Sequence, residues 1–275
     1  MESCEKLIFE LKEQLENKYE LLVDKIEKND KSTDGNVFIT SSQNEKYVIK
    51  IYEDINHVNA MTSLHSHLIS AGVNVPKVIF TIENEMHITL SNGRYVVVYS
   101  FMKGEQLVWN KEKKIDDFLI GPIAKFLRSF HLVTSEGNNY GLRELPFNNE
   151  NYIERCSALH FDLTKSNIFV NKDMDNEIGF IDLDDARYGP SVCDVAIAVA
   201  ILFFSKTNGI DLSGAKKFID EYYGNETDLK NSEIPLIKDF ALKWIGYILD
   251  GNEFDTSTTE SFEVRRQLIE ENLFI

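Results

Sequence analysis

Leu7, Leu11, Leu15, Tyr19, Leu22 and Ile26 recur at three- and four-residue spacing with charged residues between them, a pattern that predicts an amphipathic helix from about Cys4 to Ile26. The period then shortens. Val37 to Ile39 and Lys46 to Tyr52 read as strands around a polar turn, and a second helical stretch runs from about Ile55 to Ser70, where Gly72 ends it. Strand signals follow at Val75 to Phe80, Glu85 to Leu90 and Tyr95 to Phe101. After Met102-Lys103-Gly104-Glu105-Gln106 the helical period takes over. It is expected over Asp116 to Leu132, Asp194 to Phe204, Gly214 to Tyr223, Ile234 to Leu249 and Thr258 to Leu273. The pattern predicts an α+β chain of two lobes. Residues 1–103 form a small, mostly antiparallel sheet lobe, residues 104–275 form a mainly helical lobe, and a hinge lies near Gly104.

One segment interrupts the helical half. Ile168-Phe169-Val170 and Ile178 to Ile181 are short β-prone runs joined by the polar stretch Asn171 to Glu177, which predicts a hairpin. His160-Phe161-Asp162 and Asn167 precede it and Asp182 ends it, so the polar groups gather at one end. Their spacing suits phosphoryl transfer: Asp162 to receive a hydroxyl proton, with Asn167 and Asp182 as oxygen ligands for Mg²⁺. Asp162 and Asn167 can also serve as plain turn residues, with Asp182 as a strand-end cap.

A phosphoryl-transfer site also needs a cation on the phosphates. Lys50, on the same strand face as Val48, is the candidate. Upstream, the turn Ser32-Thr33-Asp34-Gly35-Asn36 would offer backbone N–H groups to phosphate through Gly35, although Asp-Gly is equally a hairpin turn. Ser166 is placed to give a hydroxyl or N–H to a phosphate oxygen, or to cap a local turn. Ser100 and Met102, at the end of the last strand of the first lobe, present backbone that would pair with a nucleotide base. His131 reads as a core histidine and Asp194 as a carboxylate at a helix start.

Composition narrows the partners. With 275 residues, 43% of them hydrophobic, the chain can bury a full core. The formal net charge of −16 argues against nucleic acid and anionic membranes. The longest apolar run, Val195 to Phe204, falls far short of the roughly 20 residues of a bilayer span, and the acidic start lacks a leader pattern, so a cytoplasmic protein is expected. Cys4, Cys156 and Cys193 are too scattered for a disulfide framework or a metal cluster.

The motif residues resemble the aminoglycoside phosphotransferase and choline kinase superfamily of small-molecule kinases. The local likeness is to aminoglycoside 3'-phosphotransferases, in Ser166-Asn167-Ile168-Phe169-Val170, Gly179-Phe180-Ile181-Asp182-Leu183 and Val75-Pro76-Lys77-Val78. The resemblance implies a bilobal protein kinase-like fold and ATP or GTP as phosphate donor with Mg²⁺. It makes Asp162 the catalytic base, Asn167 and Asp182 the metal ligands, Lys50 the lysine on the α- and β-phosphates, and Ser166 a phosphate neighbour. Leu127 to His131 and Asp194 also look like landmarks of that superfamily. The chain departs from the pattern in three places. Phe161 stands where glycine is usual, no glutamate lies around Ala60 to Leu64 to pair with Lys50, and the stretch from His131 to His160 is shorter.

The expected function is transfer of a γ-phosphoryl group to a hydroxyl of a small metabolite or antibiotic. Asp184, Asp185, Glu270 and Glu271 would suit a polyamine, which puts an aminoglycoside-like acceptor slightly ahead of a neutral one. No obligate protein partner is evident. A protein kinase is disfavoured, because no long activation segment, Asp-Phe-Gly or Ala-Pro-Glu separates Asp182 from Asp194. The alternative is a catalytically silent nucleotide-binding or scaffold protein of the same fold.

Overall fold

The computed structural model describes residues 4–29, 36–107, 114–135, 138–147, 155–205, 209–251 and 256–273. The chain divides into two compact units, Met1–Met102 and Lys103–Ile275. Among the described residues no helix is long and apolar enough to cross a membrane.

The first unit contains α1 (Cys4–Tyr19), β1 (Lys25–Lys28), β2 (Val37–Ser42), β3 (Glu45–Tyr52), α2 (Ile55–Ser70), β4 (Val78–Ile79), β5 (Ile88–Thr89) and β6 (Tyr95–Ser100). Its six-stranded antiparallel sheet runs β1-β2-β3-β6-β4, with β5 also on β6. Alternation along β3 sorts two cores. Ile49 and Ile51 join Leu11, Leu15 and Tyr19 of α1, while Val48 and Tyr52 join Val58 of α2. Asp54 caps α2 by accepting from Asn56 N at 2.9 Å, and Gly72, at φ +79°, lets the chain turn out of it.

Three expectations are corrected here. The first helix stops at Tyr19 rather than Ile26: Glu20 turns left-handed at φ 54°, and Lys25–Lys28 pairs with β2. Ile26 is buried as the inward residue of a strand, so one apolar position satisfied both periods. The strand expected from Val75 shrinks to Val78–Ile79, Pro76 having no N–H to give a ladder. The strand expected from Glu85 shrinks to Ile88–Thr89.

The second unit contains β7 (Glu105–Gln106), α3 (Asp117–Thr134), β8 (Arg143–Glu144), β9 (Cys156–Leu159), β10 (Ile168–Asn171), β11 (Glu177–Phe180), β12 (Arg187–Pro190), α4 (Val192–Leu202), β13 (Phe204–Ser205), β14 (Gly209–Ile210), α5 (Leu212–Tyr223), α6 (Thr227–Gly251) and α7 (Thr256–Asn272). The expected hairpin forms: β10 pairs antiparallel with β11, Ile168 opposite Phe180, and β7 pairs on the other side of β10. Gly104, at φ +107°, allows that second pairing, because a Cβ there would stand 2.6 Å from the Val170 carbonyl oxygen. A second small sheet, β8-β12-β9, leads from β9 directly into His160. Helix α4 is buried on all sides, as its unbroken apolar run requires, and it starts beside that segment.

Candidate active site

The loop between β9 and β10 is held by a carboxylate from another element. Asp194, in the first turn of α4 and fully buried, accepts from His160 N at 2.6 Å and Phe161 N at 2.9 Å. Its Oδ2 also receives His131 Nε2 at 3.1 Å. His131 Nδ1 in turn meets the Tyr222 hydroxyl at 2.7 Å, to which Arg155 Nη2 donates at 2.9 Å. These bonds are consistent with a neutral ring that donates from Nε2 and accepts at Nδ1. Burial lowers the His131 pKa, and Asp194 partly opposes that. Three donors thus converge on the buried Asp194 side chain, which satisfies the polar group that burial takes from solvent.

The loop itself is folded tightly around Asp162. His160 bonds through Nε2 to the Ile181 carbonyl at 2.9 Å, joining the loop to the strand end before Asp182. Phe161 and Asp182 both lie in the left-handed region, at φ 66° and 64°. The first is the position where the resembled superfamily usually has glycine, and the loop keeps that conformation with an aromatic side chain that is 4% exposed. Asn167 Nδ2 donates to the Asp162 carbonyl at 2.9 Å and to its carboxylate Oδ2 at 2.8 Å. Both amide protons are thereby used, and Asn167 Oδ1 is the atom left for a cation. Ile181 N donates to the Asn167 carbonyl at 2.9 Å, bringing Asn167 and Asp182 to the same end of the hairpin.

Electrostatics set Asp162 apart. Burial pushes its carboxyl above the ordinary aspartate range, Asp182 and Asp185 add to that, and His160 and the Asn167 bond partly offset it. A divalent cation beside Asp182 would reduce the repulsion. Among the described residues no group of three or more His, Cys, Asp or Glu side chains is arranged to hold a metal alone. One carboxylate and one amide oxygen instead fit Mg²⁺, which keeps open positions for phosphate oxygens and water.

The other expected positions sit as follows. Ser166 is exposed, its hydroxyl 2.9 Å from that of Thr164 and its carbonyl accepting from Gln106 Nε2 at 3.0 Å. In the first unit Lys50 is half-buried on β3, opposite Val37 and Val97, on the face shared with Val48. Helix α2 carries no acidic residue. Ser100 Oγ accepts from Lys77 N at 2.9 Å, so its side chain serves the β4–β6 edge, and Met102 is buried. Gly35 lies outside the described residues. The sequence reading missed what Asp194 holds: it placed a carboxylate at a helix start, but the groups that Asp194 binds are backbone amides.

Residues 154–216, which include the loop, the hairpin and Asp194, match the model of the phosphotransferase enzyme family. The matched segment holds the catalytic-loop and hairpin residues that carry the resemblance to the aminoglycoside phosphotransferase and choline kinase superfamily. Solved structures with the same fold include the amicoumacin kinase hAmiN (13% identity, TM-score 0.67, 86% of this chain and 85% of that one). Wild-type aminoglycoside 2'-phosphotransferase-IIIa, solved as its GDP complex, gives 14% identity and a TM-score of 0.67 over 98% of this chain and all of the other. The choline kinase LicA from Streptococcus pneumoniae gives 13% and 0.58 over 94% and 97%. No curated protein matches the sequence. At such identities the structural likeness establishes the α+β kinase-like fold, and the family match within the superfamily supports a phosphotransferase acting on a hydroxyl acceptor.

Proposed function

We propose that the chain is a small-molecule kinase that moves the γ-phosphoryl group of ATP or GTP onto a hydroxyl of a metabolite or antibiotic. The observation that carries this reading is the pair of hydrogen bonds from Asn167 Nδ2 to Asp162, on a loop that Asp194 fixes through two backbone amides. Asp162 orients the acceptor and receives its proton. The acceptor oxygen bonds to the γ-phosphorus as the bond to the β–γ bridging oxygen breaks, and that electron pair leaves with the nucleoside diphosphate. Burial of Asp162 raises its carboxyl pKa and so favours uptake of that proton, while a cation on Asp182 would oppose the shift.

Asn167 and Asp182 would hold Mg²⁺, which when bound offsets charge on the phosphates. Lys50 is the proposed α/β-phosphate lysine, and backbone at Met102 the proposed base-binding edge, since the Ser100 N–H already donates to the Lys77 carbonyl at 2.8 Å. A cytoplasmic setting suits a nucleotide-dependent enzyme. The silent-scaffold alternative draws on the lack of any acidic residue in α2 to orient Lys50.

Calorimetry with ATP and GTP, with and without Mg²⁺, separates the two when combined with Asp162→Asn. The kinase reading expects metal-dependent nucleotide binding in both proteins and turnover lower by about 10²–10⁴-fold in the variant. Full turnover in Asp162→Asn sinks the base assignment. Nucleotide bound with no turnover on any hydroxyl acceptor favours the scaffold.

A further inference from the structure

Arg187 of β12 stands in register with Leu159 of β9 on one side and with Arg143 of β8 on the other. Leu159 leads in three residues to Asp162, so the strand carrying Arg187 is bonded to the strand that delivers the base. The Arg187 side chain is 8% exposed, and its Nε has no hydrogen-bond partner among the described residues. The guanidinium lies 5.6 Å from the centre of the Phe161 ring, the neighbour of Asp162 in sequence. Nη2 makes only a long 3.5 Å bond to the Tyr247 hydroxyl. Phe161 also packs against Tyr247 and Phe147, with ring centres 5.9 and 6.3 Å away.

No carboxylate among the described residues forms an ion pair with either arginine. Asp185 attracts Arg187 only from beyond ion-pair range, while Arg143 repels it. A buried guanidinium beside a like charge is unfavourable unless an anion completes it, and its planar donor fork matches an oxyanion. Of the four acidic residues expected to meet a polyamine, Asp185 acts on both Asp162 and Arg187, whereas two are engaged within their own helix. Glu270 accepts from Arg266 and Glu271 from Gln267, both within α7. The net charge of −16 does not decide the matter, since charges beyond about 8 Å are screened at physiological salt.

We propose that Arg187 and Arg143 bind an oxyanion, a carboxylate or a phosphate, carried by the acceptor whose hydroxyl meets Asp162, so that the substrate is an anionic hydroxyl compound and not a polycation. The inference rests on the kinase reading of the same loop.

The test uses the full chain labelled with ¹⁵N-arginine and mixed with ADP and Mg²⁺. The Arg187 Nε–H signal is assigned by its loss in Arg187→Lys, with the exposed Arg143→Ala as a second variant. Malonate, inorganic phosphate and kanamycin are titrated separately. A saturable shift with malonate or phosphate in the millimolar range is expected, weakened about tenfold by Arg143→Ala, as loss of one charge-assisted contact implies. The tighter of the two identifies carboxylate or phosphate. ADP binding with no response to either anion, or a response to kanamycin alone, overturns the inference and leaves the kinase reading standing. Failure of ADP to bind removes both.

Discussion

The loop around Asp162 and the β3–α2 layer around Lys50 are built on different principles. In the loop nearly every polar group has a named partner, and Asp194, His131, Tyr222 and Arg155 form a continuous buried chain of hydrogen bonds. In the β3–α2 layer, position is set by the apolar packing of Val48, Tyr52, Val58, Val97 and Tyr99, and α2 offers no carboxylate. Hydrogen bonds fix a direction, whereas alternation along a strand selects a face. The contrast teaches that the base is held by a hydrogen-bond network, while α2 brings no carboxylate to the layer of the lysine.

Asp194→Ala should break the comparison most severely, because it strands two buried N–H groups and the histidine. A loss on the order of 3–5 kcal/mol is expected in urea unfolding of the second unit. A midpoint near wild type would mean that the network is dispensable. Phe161→Gly sets two effects against each other: about 1–2 kcal/mol of left-handed strain relieved, against about 3–5 kcal/mol for the lost aromatic ring. Packing should win, leaving the variant less stable by about 1–4 kcal/mol in the same assay. A more stable variant would show that strain governs this loop.

Lys50→Met sharpens the other side. On a layer held by packing it should lower stability by no more than about 1–2 kcal/mol while weakening Mg²⁺-nucleotide binding in calorimetry. Unfolding of the first unit would show that the lysine is structural. The smallest effect concerns pH. His131 is buried with a lowered pKa, so the unfolded chain binds the proton more tightly. Its contribution is intact above about pH 6.5 and is lost as pH falls, by about 1 kcal/mol between pH 7 and 5.5. The difference in unfolding free energy between wild type and His131→Asn, measured at the two pH values, should narrow by that amount in acid. A constant difference would mean that folding leaves the His131 pKa unshifted, and a difference that widens in acid that the ring is charged in the folded protein.

The hairpin was legible because two β-prone runs flank a polar turn, and the motif residues fall at its ends whatever the rest of the chain does. Helix α2 was legible from its period and Gly72. The end of α1 was not, because Ile26 satisfies helix and strand alike. Asp194 as the anchor of the loop was hidden for another reason: backbone amides have no letter in a sequence. The pairing of Arg187 with Arg143 depends on register across a parallel pair 44 positions apart along the chain, which no local window reads.

Phe161 has a consequence for finding relatives. At φ 66° the backbone asks for glycine, and a pattern written as histidine, glycine, aspartate would be the natural query for this loop. Such a query passes over this chain. A pattern that fixes the backbone requirement and leaves the letter open, admitting an aromatic where a neighbouring arginine can rest on its face, would collect chains of this kind.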